Sequence, residues 1–182
     1  MIACVFYPSS KREQGVSLLE LLTVIAIISI LFGFIFPALF RARGRARTTV
    51  CIVHLRQIAL ATRAYADDFD GSFPTSIYDD PFPEYLVNQN DIFICPGDDR
   101  DLSNPGDPRG SYGLNSGLSS YKLTNMPEID PVKGNPIPVV GDSDEETLDP
   151  SKFSSRHQER GNIAFNDGHV KSVTDSEIGD YF

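Results

Sequence analysis

Three side chains near the C-terminus, His157, Asp167 and His169, are of the types that ligate transition metals, and a hairpin between them could make them converge. A second candidate is the oxygen-rich run Asp142-Ser143-Asp144-Glu145-Glu146, where Asp142, Asp144 and Glu145 could hold Ca²⁺. Simpler readings compete with both. Asp167 precedes Gly168, a pair that turns favour, and His157 can then serve to hydrogen-bond nearby backbone. The acidic run lacks the spacing and the glycine of an EF-hand, so a solvated loop explains it. Asp67, Asp68 and Asp70 fit a helix-end turn. No resident cofactor is expected, with Ca²⁺ at the acidic run the one candidate. Nucleophile and phosphate motifs are absent: there is no G-x-S-x-G, no P-loop and no H-E-x-x-H. Assembling Ser154, His157 and Asp167 into a triad has nothing to recommend it, and no enzyme is expected.

The most informative ionisable residue lies at the other end. From Val16 to Phe40 the sequence VSLLELLTVIAIISILFGFIFPALF carries one charge, Glu20. The 21 residues from Val16 to Phe36 would span roughly 30 Å as a helix, the thickness of a bilayer's hydrocarbon core. A carboxylate in such a segment is costly unless paired, and usually has a role. Ahead of the run stands MIACVFYPSSKREQG, ending in a basic stretch and Gly15. A secretory signal has a shorter apolar core with a small-residue cleavage site after it. Here the run is too long, and it leads into Pro37-Ala38-Leu39-Phe40 and then Arg41, Arg43, Arg45 and Arg47. A cut after Gly15 would instead keep the apolar helix and create an amine on Val16. Glu20 would then sit one helical turn from that end, suited to the positive pole of the helix dipole or to an amine, its own or a neighbour's.

Composition separates the remainder from this segment. The formal net charge is −9, and the first 15 residues contribute +1, so the rest is more acidic still. An acidic chain is a poor nucleic-acid partner, because binding requires a basic face that displaces counterions. Of the three cysteines, Cys4 precedes Gly15, which leaves Cys51 and Cys95 to form a disulfide or to remain as two buried thiols.

Lys11-Arg12-Glu13-Gln14-Gly15, then Val16-Ser17-Leu18-Leu19-Glu20 and the apolar run, resembles the processing site of type IV prepilins and type II secretion pseudopilins. The resemblance implies a leader, residues 1–15, removed after Gly15 by a prepilin peptidase, and N-methylation of the new terminus. That terminus is usually Phe in the family and is Val16 here. It implies that Glu20 is the assembly glutamate, and that Pro37 occupies a common kink position. The implied partners are the peptidase, other pilin-like subunits and the membrane. The implied location is the inner membrane, crossed once, with the head extracytoplasmic. The excess of Arg41–Arg47 over Lys11 and Arg12 would by itself put those arginines in the cytoplasm; a peptidase acting on a cytoplasmic leader puts them outside.

Beyond the arginines, Leu55, Ile58, Thr62, Tyr65 and Phe69 recur at helical spacing, widened by Ile52 and Ala59. The expected plan is a transmembrane helix over 16–40, an amphipathic continuation over 41–70 and a head over 71–182. The run Asp67-Asp68-Phe69-Asp70-Gly71-Ser72-Phe73-Pro74 stops the helix. Phe82 to Val87 reads as a short helix, and Ile92-Phe93-Ile94 and Ile137 to Val140 as strands. Asp167-Gly168 reads as a type I′ hairpin turn, with Phe165 opposite Val170 and both covering the helix together with Ile163. The fold class is α+β: a long N-terminal helix, its first half transmembrane, packed on a small irregular antiparallel sheet.

His157, nine intervening residues and Asp167-Gly168 resemble the C-terminal H-X9-DG element of one group of large prepilin-like proteins. Cys51, Leu55-Arg56-Gln57-Ile58 and Ile94-Cys95-Pro96 fit the same group. The function this implies is a structural filament or pseudopilus subunit. The alternative is a membrane-tethered extracytoplasmic binding domain that uses the helix only as an anchor.

Overall fold

The computed structural model describes residues 17–79, 81–86, 89–100, 110–130 and 133–182. The leader, and with it Gly15 and Val16, lies outside the described residues. The chain divides into two units, one ending at Arg41 and the other Ala42–Phe182.

In the first unit the described residues belong almost wholly to helix α1 (Leu18–Asp68), which contains Pro37. An 18-residue window of this helix has mean hydropathy 2.6 and none of it is buried, so by length and composition it can cross a membrane. Its few hydroxyls cause no cost there. Thr23 donates to the Glu20 carbonyl at 2.9 Å and Ser29 to the Ile25 carbonyl at 2.7 Å, so both are satisfied inside the helix.

In the second unit the later turns of α1 supply the core. Of the stripe that the spacing predicts, Leu55, Ile58, Ala59 and Thr62 are buried, joined by Cys51, Ala61 and Ala66, while Ile52 and Tyr65 are half-buried. Phe69 is exposed and stacks on Tyr65 at 4.2 Å. The helix ends where Asp70 and Gly71 turn left-handed, φ 52° and 80°, and the Gly71 N–H donates to the Ala66 carbonyl.

A 3-10 turn over Phe82–Tyr85 and a short α2 (Gln89–Ile92) come after it. Ile92-Phe93-Ile94 is therefore no strand; it closes α2, burying Ile92 and Phe93 and exposing Ile94. Among the described residues five strands come next: β1 (Tyr112–Asn115), β2 (Pro138–Asp142), β3 (Thr147–Leu148), β4 (Gly161–Phe165) and β5 (Val170–Val173). A short α3 (Asp175–Ile178) ends the fold. The sheet order is β3-β1-β2-β4-β5. The sheet is mixed rather than wholly antiparallel, because the two-residue β3 pairs parallel with β1. The architecture is α+β.

The hairpin differs from its expected register by one residue. Ala164, not Phe165, stands opposite Val170. The loop is Asn166-Asp167-Gly168, closed by the Gly168 N–H on the Phe165 carbonyl at 2.9 Å and the Phe165 N–H on the His169 carbonyl at 3.0 Å. Within it Gly168 alone has positive φ, 82°, so this is a three-residue turn with glycine in the left-handed position rather than a type I′ pair. A one-residue slip exchanges the faces of a strand. Ala164 thus joins the cluster on α1 with Leu55, Ile58 and Val140. Ile163 and Phe165 pack instead with Leu148, Val173 and Ile178 of α3.

Candidate functional site

Two regions carry the residues singled out by their chemistry. The first is the start of α1. Glu20 lies in the first turn and is exposed, as are its apolar neighbours Leu18, Leu19, Leu21 and Leu22. A carboxylate there complements the helix's positive pole.

The second is built around His157. The segment before β4 reverses in a two-residue turn. The His157 N–H donates to the Arg160 carbonyl at 2.8 Å and the Arg160 N–H returns to the His157 carbonyl at 3.2 Å. Gln158 and Glu159 both take positive φ, 55° and 65°, a conformation that costs side-chain-bearing residues about 1–2 kcal/mol each. Replacing the pair by Asn-Gly is expected to raise the stability of the head by about 1–2 kcal/mol in total, read as a higher midpoint in urea. An unchanged midpoint would show that the turn is unstrained.

The turn points His157 inward. Its Nε2 lies 3.2 Å from Cys95 Sγ and 3.7 Å from Asp142 Oδ2. Cys95 is bonded to Cys51 of α1, with the Cα atoms 5.3 Å apart. Asp142 is fully buried; its Oδ2 accepts from the Asn162 N–H at 2.7 Å and from Asn162 Nδ2 at 3.0 Å. Burial pushes the Asp142 carboxyl up to about 7. Burial and then the charge of Arg156 push the His157 imidazole below its usual range. Near neutral pH the imidazole is therefore uncharged, and its contact with Asp142 is polar rather than an ion pair.

Beside His157, Arg156 holds the loops together. Its Nη1 donates to the Ser111 carbonyl at 2.6 Å and its Nη2 to Asp144 Oδ1 at 2.7 Å. Its Nε is 3.4 Å from Asp98 Oδ2. Arg100 Nη2 donates to the same oxygen at 2.7 Å. Burial alone would raise the Asp98 carboxyl, but hydrogen bonds from Arg100 and Ser111 and the charge of Arg156 bring it down to about 2. A carboxyl depressed in the folded state contributes stability above its unfolded value near 3.8, and that stability is lost as pH falls towards 2. Asp98→Asn should cost about 2 kcal/mol at pH 7, because Arg100 and the buried Arg156 lose their shared anion. The gap between variant and wild type should narrow between about pH 4 and pH 2, read from thermal melts. A gap of constant size would refute the charge's role.

The metal candidates of the sequence are dispersed. Asp167 and His169 pair with each other at the exposed loop, Oδ1 to Nδ1 at 2.6 Å, while His157 is buried against the disulfide. Of the acidic run, Asp142 points into the core, Asp144 meets Arg156, and Glu145 pairs with Lys152. Protein cations already neutralise Asp144 and Glu145. Sequence reasoning missed Asp98, Arg100 and Asn162. A signal existed for the arginines, since basic residues are scarce in so acidic a head and each is a candidate internal counter-ion.

The other end of the element also grips α1. The Gly168 carbonyl accepts from Arg56 Nε at 3.0 Å. A Cβ on Gly168 would lie 3.2 Å from Leu60. His157 at the disulfide and Gly168 at Arg56 thus fasten the segment carrying β4 to one helix at two points.

Residues 10–36 match the family model of the prokaryotic N-terminal methylation motif. No curated protein and no solved structure matches the chain significantly. The matched segment contains Gly15, Val16 and Glu20 and ends just before Pro37. This prepilin-type motif indicates a pilin-like chain, a substrate of a prepilin peptidase, anchored in a membrane by its apolar helix.

Proposed function

We propose that the chain is cut after Gly15, held in the inner membrane by the first part of α1 with its head outside the cytoplasm, and assembled with other pilin-like subunits into a filament or a secretion pseudopilus. The observation that carries this reading is the methylation motif over residues 10–36, joined to a helix whose apolar window is wholly unburied. Such a surface needs lipid or neighbouring helices to cover it. In the assembly Glu20 meets the amine of a neighbour's Val16, an attraction that hydrocarbon strengthens because screening there is weak. The role is structural. The element from His157 to Gly168 supports kinship with the H-X9-DG group, and in this reading it works by fastening the sheet to α1 rather than by chemistry.

Mass spectrometry of the purified protein tests the reading at its first step. The expected chain begins at Val16, with or without one added methyl group. A chain that still begins at Met1, or one cut beyond Pro37, would refute it; the first result would favour an anchored binding domain.

A further inference from the structure

The pocket at His157 holds more metal-binding chemistry than a fastening needs. Cys51 Sγ, Cys95 Sγ and His157 Nε2 lie within 4.8 Å of one another, and all three residues are buried. They come from α1, the loop after α2 and the turn before β4. Asp142, also buried, stands 3.7 Å from the same nitrogen and has one oxygen, Oδ1, without a hydrogen-bond partner. Two sulfurs and an imidazole form a donor set suited to zinc. The two sulfurs would have to part to roughly 3.7 Å, the edge of a tetrahedron with Zn–S bonds of about 2.3 Å. Cα atoms 5.3 Å apart leave room for that. Two thiolates cancel the charge of a divalent ion, so its binding by the two sulfurs and the imidazole adds no net charge to the core.

We propose that this site takes two alternative staples: the disulfide, and in the reduced chain a thiophilic divalent cation, Zn²⁺ first, held by Cys51 Sγ, Cys95 Sγ and His157 Nε2. Passing from one to the other takes an external dithiol. It gives two electrons to the Cys51–Cys95 bond, becomes a disulfide itself and leaves two thiols. Each thiol then loses one proton as its sulfur bonds the metal. The disulfide form of that dithiol reverses the exchange: it takes the two electrons and two protons, becomes the dithiol again, and the re-formed Cys51–Cys95 bond releases the ion. The site is independent of filament assembly.

Cobalt(II) serves as the visible probe. The full chain in detergent is reduced, freed of reductant without air and titrated with Co²⁺. Expected are the absorption bands of tetrahedral thiolate-bound cobalt, saturating at a single equivalent and erased by Zn²⁺. Oxidised protein should show none. Cys51→Ser should lose the bands. His157→Gln should weaken binding by about tenfold or more, since even the loss of a ligand's outer partner costs that much. A reduced chain without these bands, folded or not, would overturn the proposal. So would equal cobalt affinity in His157→Gln, because the cysteines alone would then be the site.

Discussion

Replacing Glu20 by leucine is expected to leave membrane insertion intact and to remove the subunit from filaments. Glu20 is the one charge between Val16 and Phe40 and is exposed in the first turn of α1. Insertion loses nothing, because an apolar side chain suits lipid better than a carboxylate. Assembly loses a charge pair. Two unit charges 4 Å apart at an effective dielectric of 20 attract by about 4 kcal/mol, and 1.4 kcal/mol is tenfold in an equilibrium constant. Incorporation should therefore fall by several hundredfold, measured as subunit in the sheared filament fraction against subunit in the membrane. Glu20→Gln, which keeps the shape and drops the charge, should fail equally. If either variant enters filaments at the wild-type level, the pairing role is wrong.

Loss of the Cys51–Cys95 bond is expected to be the most damaging single change to the head. It closes a loop with a sequence separation of 44. A loop of that length contributes about 4 kcal/mol through the chain entropy it removes from the unfolded state. For a unit the size of Ala42–Phe182 that corresponds to a fall in Tm of roughly 10–15 °C. Cys51→Ala, Cys95→Ala and the double variant should melt within a few degrees of one another, because each loses the same bond. A double variant that loses the sum of the two single costs would contradict this, as would a cost below about 1 kcal/mol.

The helical parts of this fold are legible because local pattern decides them. The apolar run needs no partner to be read, and Leu55, Ile58, Ala59 and Thr62 announce their buried face by spacing. The stop at Asp67–Gly71 is local chemistry too. The strands are legible only in part. Ile137 to Val140 falls on β2, whereas Tyr112–Asn115 is short, contains Gly113 and has no alternation to betray it. Thr147–Leu148 is a strand only because β1 lies beside it. In the hairpin, Asp167-Gly168 signals a turn but not its length. One extra loop residue was enough to move Ile163 and Phe165 to the opposite face. The surroundings of His157 were illegible for a different reason: its partner Cys95 is 62 residues away and Arg156's partner Asp98 is 58 away. No periodicity encodes such contacts. They exist because β4 inserts between β2 and β5 and carries the preceding turn with it.

That insertion sets the order in which the molecule can be made. β4 sits inside the sheet yet follows β1, β2 and β3 in the chain, and Arg56 waits for a carbonyl 112 residues downstream. At about 5–20 residues per second, the stripe of Leu55 and Ile58 stays without its final cover for roughly 5–20 s of synthesis. Contacts so distant in sequence also make for slow closure. The cover of that stripe is thus completed late, by a nascent chain that has already exposed it. A chain stopped just short of Gly161 keeps all of the cluster on α1 but Ala164, and loses Ile163, Phe165, Val173 and Ile178 of the second cluster together.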